Sequence, residues 1–551
     1  MRSLPAGFFV RRPDLSLLLA FALVSICFTG QFAPFANPNE LSRQQAVYSF
    51  VENGTFAIDE AIALFGDHED KSVSDGHFYS NKAPGLTFAA IPVYRVLRIF
   101  FPRPESRFAP VFLVLRILVV TPVCLLALAR FLALLRRRGM PAPALVTAAL
   151  AFGTPYLFYS RSFFSHAWTA ALIFLSLDLI QRAEEAGTRP RAAFLLWGAG
   201  MLAGWAAISE YPLALFALLL WARSFSRRSL GHAVFFALGL LLPLAILLAY
   251  DSACFGSPWT LSSAREAAPR YAALAHQGLF GFGPPSPRIA LKYLIHPARG
   301  ALLFSPFFVW AVPGFLRWWR RREHRADFAF CFFGTLLFFV AMCAYPNWHG
   351  GWSLGNRYLM PLLFPVGLAL AHSLDSPRSR LAFAAAVVFS VATHVLLCTA
   401  WPHFPDDVAW PASNGSLWFL QRGWAAPGLF GEPPGWAPVA VVIAAAAAAV
   451  ALAPAIASAQ LTPGRAGLPI LAGLLLFAAT LMLAPRPSFW ARLWRAEIFT
   501  SLGRDPSFGE LQDAVESARS PEERKRALLS WRLYGPRPGA GTISKTFQRA
   551  M

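Results

Sequence analysis

The chain has 551 residues, 56% of them hydrophobic and 14% charged, with a mean hydropathy of +0.47 and a formal charge of +20. That composition excludes an ordinary soluble domain, and its many apolar runs approach the roughly 20 residues that a bilayer span needs. The positive charge does not indicate nucleic acid, because arginines cluster where apolar runs end, at Arg136 to Arg138, Arg227 and Arg228, and Arg320 to Arg322, the pattern that marks cytoplasmic loops.

In chain order, Arg2, Arg11 and Arg12 precede the apolar run 15–29. These are the flanks of a signal peptide, but the long hydrophobic remainder favours an uncleaved first span leading outward from a cytoplasmic segment 1–13. The polar stretch 34–85 then forms a first external loop. It holds Glu40, Arg43, Asp59, Asp70, Lys71, Asp75, His77, Tyr79 and Lys82, a dense set of ionisable groups for so apolar a chain. Chemistry is expected there.

Residues 86–101 are apolar but interrupted by Pro92 and Arg95, which suits a helix lying in the outer interface. The positive-inside rule orients the runs that follow. Run 108–135 goes in, 142–159 out, 163–180 in, 192–208 out and 213–222 in, with Glu210 at an outer turn. Run 233–250 leads to a second external loop, 251–299, and 301–315 returns to the cluster at Arg322. Run 328–344 leads to a third insert, 345–358, and 359–374 returns. Run 383–400 leads to a fourth loop, 401–436, 438–459 returns, and 468–483 goes out. The expected architecture is all-α with about 13 transmembrane helices in residues 14–484, short or tilted spans blurring the edges. The tail 485–551 would then be external, although Arg524, Lys525 and Arg526 pull toward the cytoplasm. The six cysteines lie in or beside apolar runs without paired spacing, so neither disulfides nor a zinc site is expected.

The first span is followed by Pro38-Asn39-Glu40, then Gly54-Thr55-Phe56, then DGHFYSNKAPG from Asp75 to Gly85. This arrangement resembles the GT-C class of integral-membrane glycosyltransferases, in particular the branch with the aminoarabinose transferases and protein O-mannosyltransferases. That branch opens its first external loop with Asp-Glu and closes it with Lys-Pro-Pro or a variant; the matching positions are Asn39-Glu40 and Lys82-Ala83-Pro84. The segment from Trp348 to Pro365 also resembles bacterial members of the class. The resemblance implies an inverting transfer of a sugar from a polyprenyl-phosphate donor to a lipid-linked glycan, a cell-envelope polymer or a protein. It further implies a multi-pass inner-membrane protein, taken as bacterial from its arginine- and alanine-rich composition, working on the periplasmic or external side.

Asn39 departs from the family pattern, since an amide cannot take a proton as a base. Glu40 is the first expected substitute and Asp59 the second. Lys82, Arg357 and Arg161 are the candidates for the lipid phosphate, because cationic donors at a membrane edge stabilise a departing phosphate. Asp70, Asp75, His77, Tyr79, Glu210 and His349 are candidates for substrate contact. An acidic cluster could hold a divalent metal, but no ligand spacing demands one. Carboxylates in a wet loop are often merely solvated, Lys82 could snorkel, and Trp348 and His349 also suit an aromatic belt. Other classes stay open: a transporter or lipid flippase, for which Pro-broken spans and Glu210 speak, and a non-catalytic assembly factor that binds lipid-linked sugar, for which Asn39 speaks.

Overall fold

The computed structural model describes residues 13–30, 37–102, 110–225, 230–278, 281–400, 402–405, 408–428, 435–459, 467–501, 515 and 517–534. The expected cytoplasmic segment, apart from Pro13, lies outside them, as do parts of the tail.

α1 (Pro13–Cys27) precedes a polar helix α2 (Pro38–Glu52), a short α3 (Asp59–Phe65), a hairpin of β1 (Lys71–Ser74) and β2 (His77–Ser80), and α4 (Gly85–Leu97). Then come α5 (Pro110–Arg137), α6 (Pro143–Phe152), α7 (Ser165–Glu184), α8 (Arg189–Ala207), α9 (Ala214–Ser224) and α10 (Leu230–Phe255). α11 (Pro269–Ala275) and α12 (Pro287–Ile295) cross the second loop, followed by α13 (Ala311–Arg321), α14 (Arg325–Cys343), α15 (Leu363–Ala371) and α16 (Pro377–Thr399). α17 (Trp436–Ala457) and α18 (Gly467–Met482) complete the apolar part, and the tail carries α19 (Phe489–Ser501) and α20 (Pro521–Tyr534).

Among the described residues, five helices are long and apolar enough to cross a bilayer: α5, α10, α14, α16 and α17. The chain is a multi-pass membrane protein. Other apolar runs are helical but broken. Gly153, Thr154 and Pro155 separate α6 from a single turn at Tyr156–Tyr159, and the run expected at 301–315 is split by Pro306 into three short pieces.

The expectation of an all-α chain needs one correction. The first loop contains an antiparallel hairpin in register Lys71↔Ser80 to Ser74↔His77. Its turn, Asp75-Gly76, has positive φ at both residues, 49° and 83°, the geometry that matches strand twist in two-residue hairpins. Aspartate adopts positive φ more readily than most side chains and glycine adopts it freely, which is why Asp-Gly is a hairpin signal.

The helix ends sort into two groups. At one end Arg138, Arg223, Glu184, Gln181 and Asp327 form a buried network closing α5, α7, α9 and the start of α14. At the other end the four inserts touch: Asn81 bonds Glu266, Asn356 bonds the carbonyls of Tyr293 and Arg299, and Ser353 donates its N–H to Phe404. Buried ions need partners, and the arginine-rich end supplies them in a helix-capping layer.

Within the apolar part, α8 and α10 meet through Gly200 and Gly239. A Cβ at Gly200 would collide with the carbonyl of Phe236, and one at Gly239 with the carbonyl of Trp197. Small residues let helix backbones approach where lipid gives no hydrophobic drive to associate. Replacing Gly200 with Val should wedge the pair apart at a cost of about 1–3 kcal/mol. The expected readout is a lower unfolding midpoint of the detergent-solubilised protein; an unchanged midpoint would contradict the close approach.

Candidate active site

α2 begins where Asn37 caps it, its side chain accepting the Asn39 N–H at 3.0 Å, with Pro38 in the first turn. The helix is polar yet largely buried. Arg43 donates to both the backbone and the side-chain oxygen of Asn39 and reaches Ser165 Oγ at 2.7 Å. Ser165 in turn donates to Glu210, which lies 3.6 Å from Arg43 and 3.4 Å from His166 Nδ1. Burial pulls the Arg43 guanidinium down to about 10, Glu210 and Asp70 opposing it, so the group stays charged at neutral pH.

The hairpin performs the next step. Because Lys71 faces Ser80, the residues just outside the ladder, Asp70 and Asn81, open together at its base, and Lys82 follows. Lys82 Nζ lies 3.0 Å from Asp70 Oδ2. Burial alone would raise the Asp70 carboxyl, but the Lys82 ammonium and Arg357 outweigh it and hold it below the ordinary aspartate value. The second loop docks on the same hairpin: Glu266 bridges Ser72, and Ala267 donates its N–H to the Lys71 carbonyl at 2.9 Å. Asn81 Nδ2 then donates to Glu266 Oε2 at 2.8 Å.

These groups wall a cavity of about 720 Å³. Asn37 and Asn39 come from the start of α2, Asp70, Asn81 and Lys82 from the hairpin, and Glu266, Arg270 and Tyr271 from the second loop. Tyr345, Trp352, Arg357 and Tyr358 come from the third insert, and Arg526 reaches in from α20. Arg357 is buried, its guanidinium over the rings of Phe164 and Tyr358 at 5.4 and 5.3 Å. The lining combines charged side chains with the rings of Tyr271, Tyr345, Trp352 and Tyr358. Among the described residues, no three His, Cys, Asp or Glu side chains are grouped to hold a metal ion.

Of the residues nominated from sequence, Asp70, Lys82 and Arg357 meet in this cavity. Glu40 does not line it. Successive helix residues point about 100° apart, so while Asn39 faces the cavity, Glu40 faces the other way. There it pairs with Arg116 and accepts the Phe163 N–H at 2.5 Å, beside a separate space of about 30 Å³ also lined by Arg161 and His403. Arg161 is buried against the Cys398 carbonyl at 2.9 Å and the Phe28 ring, away from the main cavity. Asp59 lies on the outer surface, 3.2 Å from His77 and accepting the Phe78 N–H. Asp75 is at the hairpin tip, and Tyr79 packs on Phe255. Glu210 sits behind the cavity wall in the Arg43 network, and His349 receives the Gly351 N–H within its own turn. Sequence reasoning missed Glu266, Arg270 and Arg526. The Asp-Gly turn could have signalled the hairpin, but nothing local signals what docks on it.

No protein-family model matches the sequence, and no curated protein matches it. Solved structures do. ArnT from Cupriavidus metallidurans bound to undecaprenyl phosphate is 15% identical, with 90% of this chain and 80% of that one covered and a TM-score of 0.47. The same protein in the apo state is 16% identical over 81% and 76%, with a TM-score of 0.45. The Archaeoglobus fulgidus oligosaccharyltransferase in its apo form is 14% identical over 87% and 61%, with a TM-score of 0.43. The chain is thus similar to GT-C glycosyltransferases.

The position of Glu40 makes a direct prediction. Glu40→Gln leaves the buried Arg116 without its carboxylate, a loss of the kind that costs about 3–5 kcal/mol. The purified variant should unfold at a lower temperature than wild type, while each folded molecule keeps its activity. A stable but inactive Glu40→Gln protein would return Glu40 to the chemistry.

Proposed function

We propose that the chain is a glycosyltransferase that takes a sugar from a polyprenyl-phosphate carrier and attaches it to a lipid-linked glycan, an envelope polymer or a protein. The end where the four inserts meet is, on this reading, the external or periplasmic face of a bacterial inner membrane. The observation that carries the proposal is the convergence of Lys82 and Arg357 on one cavity at the edge of the apolar helices. A carrier phosphate with its chain among apolar helices needs cations of this kind where its charge emerges.

The chemistry follows from the charges. The donor's bond from sugar to phosphate breaks as the acceptor oxygen forms its own, and the departing phosphate gains negative charge. Lys82 offers a compact ammonium to that charge and Arg357 a planar fork held by two aromatic rings. Tyr345, Tyr358 and Trp352 offer apolar faces to a sugar ring. Inversion at the anomeric carbon is part of the proposal as an expectation of direct displacement.

The test is a mass-spectrometric comparison of lipid-linked and surface glycans in cells with the wild-type chain, without it, and with only Lys82→Ala or Arg357→Ala. Loss of one sugar in the deletion, and of at least about tenfold of its amount in each variant, is expected from removing a phosphate-stabilising donor. An unchanged glycan profile in the deletion would rule the proposal out and favour a transporter.

A further inference from the structure

We propose that Glu266, on the second loop, is the general base that takes the proton from the acceptor hydroxyl. The inference rests on the glycosyltransferase reading above and deepens it.

Three carboxylates line the cavity among the described residues: Glu69, Asp70 and Glu266. Glu69 is exposed and paired with Arg270 at 2.9 Å, and Asp70 is paired with Lys82 at 3.0 Å. A carboxylate held by a cation is a poor proton acceptor, because the neighbouring charge favours its ionised form. Glu266 differs from both. Its contact is a neutral amide, Asn81 Nδ2 at 2.8 Å on Oε2, which fixes the side chain and leaves the other oxygen for a ligand. Its backbone is clamped to the hairpin by the Ser72 bridge and the Ala267 bond, so the carboxylate is held on the same frame as Lys82.

Burial pushes the Glu266 carboxyl up to about 7, with Lys82 and the Asn81 bond pulling it down and Asp70 raising it further. The charged and titratable groups that share the cavity with it are Glu69, Asp70 and Lys82 at the base of the hairpin, Arg270 and Tyr271 of α11, Tyr345, Arg357 and Tyr358 of the third insert, and Arg526 of α20. A base poised near the working pH combines an ionised fraction with enough basicity to accept a proton. Asn39, which also faces the cavity, cannot do this, since an amide is not protonated at neutral pH.

The step balances as a displacement. The acceptor O–H proton passes to the Glu266 carboxylate, and the freed oxygen pair forms the bond to the anomeric carbon. The bond from that carbon to the carrier phosphate oxygen breaks, its electron pair leaving on the polyprenyl phosphate beside Lys82 and Arg357. Glu266 then gives its proton to water.

The experiment uses membranes from cells expressing the full-length chain, followed by mass spectrometry of released polyprenyl phosphate and of the glycosylated product between about pH 5 and about pH 9. Wild-type turnover should rise as pH passes about 7, because the base works when deprotonated. Glu266→Gln should cut turnover at least about a hundredfold and abolish that rise. Its folding is checked by retained thermal stabilisation on adding polyprenyl phosphate to the purified protein. Asn81→Asp, which sets a second carboxylate beside Glu266, should move the rise to higher pH while leaving turnover measurable. Glu266→Gln turnover within about threefold of wild type, or an unmoved rise in Asn81→Asp, would overturn the assignment. Failure of the wild-type chain to release any polyprenyl phosphate would instead remove the glycosyltransferase reading and Glu266 with it.

Discussion

A polar helix buried inside an apolar protein is the constraint from which the rest follows. α2 brings Glu40 and Arg43 out of water within one turn, and each must find partners or cost several kcal/mol. Arg43 finds Asn39, Ser165 and Glu210, tying α2 to α7 and the turn before α9; Glu40 finds Arg116 and the Phe163 N–H, tying it to α5. α5 widens into a π turn over Arg116–Val120 where this contact is made, a distortion common at functional places. With α2 pinned on two sides, Asn37 and Asn39 have a fixed orientation, and the hairpin has a fixed floor to build on. The cavity is thus a by-product of satisfying two buried charges.

The same logic explains what the amino-acid order could and could not reveal. The apolar runs were legible because a bilayer demands length and hydropathy, and each carries helix. Lys82 and Arg357 were legible as cations at the margins of such runs, and Asp70 as a neighbouring carboxylate in the polar loop. Glu40 stands beside Asn39 in the sequence but on a different side of the helix, so adjacency alone did not reveal which of the two lines the main cavity. Glu266 was invisible for another reason: its partner Asn81 is 185 positions away, and no local periodicity encodes a contact of that span. The hairpin lay between these cases, its Asp-Gly turn readable but embedded in a chain whose composition argued for helix everywhere.

The cavity's charges are arranged in unequal states of commitment. Lys82 already holds Asp70, so an arriving anion shares that lysine with a carboxylate and gains from it less than a free ammonium would give. Arg357 has no carboxylate in ion-pair reach among the described residues; aromatic faces desolvate it instead, which strengthens its pull on an anion. Lys82 is therefore held in a direct ion pair, whereas Arg357 acts on Asp70 from beyond ion-pair distance.

Arg526 belongs to α20, in the tail that follows the last apolar helix, yet it lines the same cavity as Asn37 near the start of the described chain. α19 reinforces the connection, its Trp494 packing on Phe404 and Phe419 of the fourth insert. The wall of the cavity is consequently built from residues near both ends of the described chain. A chain cut before α20 would thus lack one of the cations that line the cavity.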